Sequence, residues 1–172
     1  KQKKYITFNS TFLERKNQLL LLKAFNLIKD TIDKKLILVG KFTSPYISEI
    51  QKYILENNLS DKVTLKDYVS KKELEEIISN TAVLVNPSKV EGFGLQILEA
   101  LELNIPCIVS DILVFKEVFK NSCLYFDNSD PIDLSEKIMF LNKNLELQKQ
   151  LSHNSKSVLK NYNFKKTCLK FK

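Results

Sequence analysis

Glycine is scarce in this chain, with three residues among 172: Gly40, Gly92 and Gly94. Left-handed or sterically tight backbone is therefore rationed, and two of its sites stand with a single residue between them. Cysteine is as sparse. Cys107, Cys123 and Cys168 are odd in number, far apart and without C-x-x-C spacing, which argues against a disulfide framework or a zinc site and for a reducing compartment. His153 is the sole histidine, so a Ser/His/Asp triad or a His-based metal site would rest on one imidazole, and a solvent-exposed position is expected for it. No apolar run approaches the roughly 20 residues needed to cross a bilayer, and no signal peptide opens the chain. A soluble, cytoplasmic protein is the expectation. The first residue is Lys1 rather than Met, so an excised piece with sequence upstream is expected too.

What is present is an apolar share of 44% with mixed charges, enough for one folded core. The formal charge of +7 favours anionic partners such as nucleotide phosphates, anionic lipid or nucleic acid. The lysines are scattered, without a basic block interleaved with aromatics, and read mostly as a solvated face.

Short β-type runs alternate with segments of helical period, the order of a doubly wound, Rossmann-like α/β fold with about six parallel strands and helices on both faces. Strands are expected over 5–9, 36–39, 63–65, 82–85, 107–109 and 124–126. Helices are expected over 18–29, with Leu19, Leu22, Phe25 and Ile28 inward, and over 45–57, with Ile47, Ile50, Ile54 and Leu55 inward. Ser70 and Glu73 form a capping box for a helix through 78, another runs from about 94 to 103, and Asp130-Pro131 opens helical sequence that continues to 172. With no repeat and no low-complexity linker, 1–172 is one domain, and ligands of such sheets bind outside the carboxyl ends of the strands.

The most informative stretch is 87–100: a strand exit at Pro87, the turn Gly92-Phe93-Gly94, and a helix start. Without a Cβ at Gly92 or Gly94 the backbone can approach a ligand closely, and the first-turn amides near Gly94 and Leu95 suit anionic oxygens. Glu99 lies one turn deeper on the face of Leu95, where it can accept hydrogen bonds from ribose hydroxyls, while Glu91 precedes the turn. Taken alone, Gly-x-Gly before a helix reads equally well as a tight turn without a ligand. Asp127, Asp130 and Asp133 sit where turn and capping roles account for them. Gly40 reads either as a point of ligand approach or as the start of a turn.

Glu91 and Glu99, with Gly92-Phe93-Gly94 between them, resemble the E-x7-E motif of group 1 (family 4) retaining GT-B glycosyltransferases. The resemblance extends over nearly the whole chain, through Arg15-Lys16-Asn17, Leu38-Val39-Gly40, Tyr68-Val69-Ser70, the run Pro106 to Asp111, and Tyr162-Asn163-Phe164. It implies that this is the C-terminal, nucleotide-sugar-binding half of such an enzyme, with an N-terminal acceptor domain, and the family's usual histidine, outside the chain. It implies a nucleoside-diphosphate sugar as donor, a glycan or lipid-linked acceptor, and work at the cytosolic face of a membrane. The catalytic residues it implies are Glu91 and Lys16. Donor-binding residues are Arg15, Lys16, Tyr68, Val69, Glu91, Gly92, Phe93, Gly94, Leu95 and Glu99: Lys16 on phosphates, Glu91 on the transferred sugar, Glu99 on ribose, Tyr68 and Val69 beside the base.

Two departures stand out. Ser10 occupies the place of a phosphate-binding arginine, with Arg15 as its candidate replacement. Asp67 stands where glycine is frequent, and is read as facing solvent. No D-x-D occurs in the sequence, so the diphosphate is expected to be met by Lys16 and the helix N-terminus, with no metal and no cofactor. Two other readings fit part of the sequence: a non-catalytic basic module for nucleic acid or a membrane surface, and a GT-B-fold nucleotide-sugar epimerase. Two carboxylates at the ligand site argue against the first, since a polyanion gains nothing from them.

Overall fold

The protein is seen in a computed structural model that describes residues 3–162. Cys168, and Asn163 and Phe164 of the terminal aromatic segment, lie outside the described residues. Six strands, β1 (Tyr5–Asn9), β2 (Lys35–Val39), β3 (Val63–Lys66), β4 (Thr81–Asn86), β5 (Cys107–Ser110) and β6 (Leu124–Phe126), pair in parallel in the order β3-β2-β1-β4-β5-β6. Helices α1 (Gln18–Ile28), α2 (Tyr46–Glu56), α3 (Lys71–Ser79), α4 (Leu95–Glu102), α5 (Leu113–Phe119), α6 (Pro131–Lys143) and α7 (Leu145–Asn161) connect and cover them.

The period-two alternation of the strands sends side chains to two cores. Phe8, Leu38, Val85, Ile108 and Phe126 project into one core with α1, α2 and α6. Leu84, Cys107 and Val109 project the other way, against α4 and α5. Ile37 and Val39 meet Ile77 of α3 in a smaller cluster on that second face. Between these last two clusters lies β1, which turns the buried Thr7 to that face, its hydroxyl 3.3 Å from that of Thr81. A groove between α3 and α4 is left over β1, lined by Thr7, Asn9, Val39, Ile77, Gln96 and Glu99.

Several local expectations need correction. Leu55 is 69% exposed, because the stripe of α2 that meets the core is Tyr46, Ile47, Ile50 and Ile54. Leu19 is only half-buried, while Leu20 and Leu21 join the core because neighbours flank α1 on two sides. Helix α5 was not expected. The sequence from 131 onward is not one helix: Asn144 interrupts it and its side chain caps α7, accepting from the Leu147 amide at 2.9 Å. The capping box at α3 is half formed. Ser70 accepts from the Glu73 amide at 3.3 Å, but the Glu73 carboxylate turns to Lys66 at 2.6 Å. Asp67 does more than face water, since it accepts the Phe42 amide at 2.9 Å and ties the β3 exit to the β2 exit.

Candidate functional site

Adjacent strands β1 and β4 send their following connections to opposite sides, and the crevice at their carboxyl ends is where open α/β sheets bind ligands. From β1 comes a single 3-10 turn, Glu14–Lys16, closed by Asn17 in the left-handed region at φ 60°. Asparagine tolerates that conformation better than most side chains. Its amide also donates to the Asn128 carbonyl at 3.0 Å, so the loop is held to the β6 exit. Lys16, directly before it, is buried at 8% exposure, whereas Arg15 is exposed.

From β4 comes the second loop. Asn86 ends the strand fully buried, its side-chain oxygen accepts the Ser88 amide at 3.1 Å, and Pro87 between them stops the ladder. The Lys89 amide donates to the Arg15 carbonyl at 2.8 Å, stitching the two loops together. On that support the Lys16 ammonium donates to Oε1 of Glu91, with the two side chains 10% and 11% exposed. The Ser88 hydroxyl donates to the same oxygen at 3.0 Å. Lys16 and Glu91, expected to serve one ligand from different loops, are therefore in direct contact.

The three glycines answer to different causes. A Cβ on Gly92 would meet nothing within 4 Å, so this position faces open space. Gly94 has φ +89°, and a Cβ there would lie 2.9 Å from Phe115 and 3.0 Å from Ile97. Packing against α5 and backbone conformation therefore suffice to require glycine here, independently of any ligand. Gly40 is required by the protein as well: a Cβ would lie 2.0 Å from the Ser10 carbonyl oxygen. Phe93, between the paired glycines, meets Tyr162 edge-on at 5.3 Å and fixes the turn from the side of α7. Leu95 opens α4 with Gly94 as its N-cap, leaving first-turn amides at the mouth of the crevice.

Glu99 is exposed on α4 and lines the α3–α4 groove. Val69 packs with Val39, Leu74 and Ile77 against the opposite wall of that groove, while Tyr68 is 93% exposed. The sequence-predicted residues thus fall into two groups, Lys16 with Glu91 beside the glycine turn, and Glu99 with Val69 along the groove. Ser88 and Asn17 support the first group, Asn17 from within the Arg15-Lys16-Asn17 run and Ser88 with no role assigned to it by the sequence. The available signal was positional, a small hydroxyl between a strand-ending Asn-Pro and a carboxylate three residues on.

The remaining candidates are structural. Asp127 accepts the Ser129 amide at 2.8 Å and hydroxyl at 2.6 Å, which hold its carboxyl below the ordinary carboxylate range. Asp130 caps α6 through the Ile132 amide at 2.7 Å, and Asp133 accepts the Asp127 amide at 2.8 Å. Among the described residues no three His, Cys, Asp or Glu side chains gather as a metal site would need. His153 is exposed. Cys107 and Cys123 are buried free thiols, and burial pushes Cys123 well up, with Cys107 beside it adding to the rise.

Comparison with known proteins agrees with this architecture. Over 85 residues the chain is 44% identical to the O-antigen chain mannosyltransferase RfbU of Salmonella typhimurium, a match covering 49% of this chain and 24% of that one. It is 30% identical over 164 residues to the uncharacterized glycosyltransferase MJ1178 of Methanocaldococcus jannaschii, covering 94% of this chain and 45% of that one. This chain thus spans less than half the length of these curated relatives. The solved C-terminal domain of the group 1 glycosyl transferase LpcC from Francisella tularensis superposes with a TM-score of 0.80 at 16% identity, over 94% of this chain and 87% of that one, and shows the same fold. No helix among the described residues is long and apolar enough to cross a membrane. The family model described as Glycosyl transferases group 1 matches residues 1–158, and the chain belongs to that family.

Proposed function

We propose that this chain is the donor-binding domain of a retaining, metal-independent glycosyltransferase that takes a hexose from a nucleoside-diphosphate sugar. The observation that carries the reading is the Lys16–Glu91 pair at the β1/β4 crevice, beside an open glycine and the start of α4. Lys16 and the α4 first-turn amides stabilise the departing diphosphate as the anomeric centre gains oxocarbenium character. Glu91 accepts from a hydroxyl of the transferred sugar, and Glu99 accepts from ribose. Tyr68 and Val69 flank the base, and Arg15 adds charge where Ser10 leaves none. Retention follows either from front-face attack by the acceptor or from a covalent route, and Glu91 is not assigned as a nucleophile. The lack of D-x-D and of a carboxylate cluster among the described residues favours charge neutralisation by protein groups.

The acceptor, a glycan or a lipid-linked glycan, is held by a second domain of the whole protein, so this chain binds donor without turnover. O-antigen mannosyltransferases among the relatives make a mannosyl donor the first to test. Calorimetric titration of the chain with UDP-, GDP- and ADP-sugars, with and without a chelator, is the direct test. Saturable binding of one class, unchanged by the chelator, is expected, and absence of binding to every class sinks the reading. The whole protein works at a cytosolic membrane face, drawn by its lysines to anionic lipid. Flotation of the full-length protein with neutral and anionic vesicles alike would count against that placement.

A further inference from the structure

We propose that Ser88 is a positioning residue for Glu91, holding its carboxylate in place when Lys16 is engaged by a ligand. The inference rests on the donor-site reading above and adds to it a residue which that reading does not use. The support begins one residue pair upstream. Asn86 is fully buried, and the bond from the Ser88 amide to its side-chain oxygen at 3.1 Å closes a tight turn around Pro87. Ser88 itself is fully buried, so its hydroxyl has few places to go. It donates to Glu91 Oε1 at 3.0 Å.

Among the described residues, the hydrogen bonds to the Glu91 carboxylate, from Lys16 and from Ser88, both fall on that one oxygen and not on Oε2. The two donors differ in what a ligand does to them. An ammonium is drawn toward phosphate oxygens when they arrive, and its hold on the carboxylate weakens. A buried serine hydroxyl on a braced turn has no phosphate to follow. It keeps Oε1 fixed without cancelling the carboxylate's charge, so Oε2 stays a full acceptor for a hydroxyl of the sugar. Ser88 therefore contributes to recognition of the sugar and not of the nucleoside diphosphate.

The test uses the 172-residue chain and two ligands: the best-binding sugar conjugate from the UDP, GDP and ADP panel, and its bare nucleoside diphosphate. Ser88→Ala is expected to raise the Kd of the sugar conjugate about tenfold, as for loss of a hydrogen bond to a charged group, and to leave that of the bare diphosphate within about twofold. In a Glu91→Ala background the same substitution should change neither by more than about twofold, because the group it positions is gone. Equal losses for both ligands, or the same tenfold loss without Glu91, would mark Ser88 as a general structural residue and overturn the inference. A parent chain that binds both ligands, with Ser88→Ala unchanged, overturns it while sparing the donor site. A parent that binds neither removes the donor-site reading and this inference together.

Discussion

Lys16 and Glu91, 75 positions apart in sequence, form an ion pair across the β1/β4 crevice with side chains only 10% and 11% exposed. A pair so placed makes each partner costly to remove alone, since the survivor is left as a poorly solvated charge. Lys16→Ala is expected to weaken nucleoside-diphosphate binding by about 1–3 kcal/mol through loss of a charge-assisted contact. It should also lower the melting temperature, and so should Glu91→Ala. The double substitution should cost less stability than the sum of the two, with a coupling of about 1–3 kcal/mol in a double-mutant cycle. Additive melting shifts would show that the pair contributes nothing, and unchanged diphosphate binding by Lys16→Ala would remove the lysine from the site.

The glycines separate structural need from ligand access. Gly94→Ala forces a Cβ into a backbone at φ +89° and to 2.9 Å from Phe115, so a loss of about 2–4 kcal/mol is expected. Gly40→Ala places its Cβ 2.0 Å from the Ser10 carbonyl oxygen, where backbone must move, and should cost at least as much. Gly92→Ala meets nothing within 4 Å and should fold with stability within about 1 kcal/mol of the parent. Its effect should appear only on titration with a sugar donor. Chemical denaturation of the three variants checks the order, and a Gly92→Ala chain as unstable as Gly94→Ala would contradict the open space seen there.

Much of the fold was legible because short apolar strand runs alternate with segments of helical period and Gly, Pro and Ser/Asp mark their ends. The six strands, α1, and the Asp130-Pro131 start of α6 fall within a residue or so of where the pattern puts them. Helix α5 was not legible. Leu113–Phe119 is short, β-branched and aromatic, and its N-cap Ile112 makes no side-chain cap bond, so neither period nor cap announces it. Its existence depends on Phe115 and Phe119 packing beneath Gly94, a tertiary fact. Asp67 is exposed, as its sequence suggests, but its bond was not legible for the same reason, since the amide it accepts belongs to Phe42, 25 positions away. In the candidate site the motif named the loops, but not the contacts between them. Nothing local to Lys16 shows that Arg15 accepts from Lys89, or that Ser88 and Lys16 share one oxygen of Glu91.

Glu91 and Glu99 lie in environments different enough that their variants should be told apart. Glu91 is nearly buried and bonded to Lys16 and Ser88, whereas Glu99 is exposed on α4 along the groove toward Val39 and Ile77. Glu99→Ala should weaken bare nucleoside diphosphate and sugar donor alike by about 1–3 kcal/mol, because both carry the ribose whose hydroxyls lose an acceptor. Being exposed, it should leave the melting temperature almost unchanged. Glu91→Ala should lower the melting temperature and penalise the sugar donor, while the freed Lys16 ammonium should hold the bare diphosphate at least as well as before. In the full-length enzyme Glu91→Ala should reduce kcat more than it raises KM if the sugar contact tightens in the transition state. Calorimetry of both variants with both ligands separates the cases. Identical losses for both ligands in both variants would refute the division of roles, and unchanged affinities in both would leave the two carboxylates as parts of a turn and a helix.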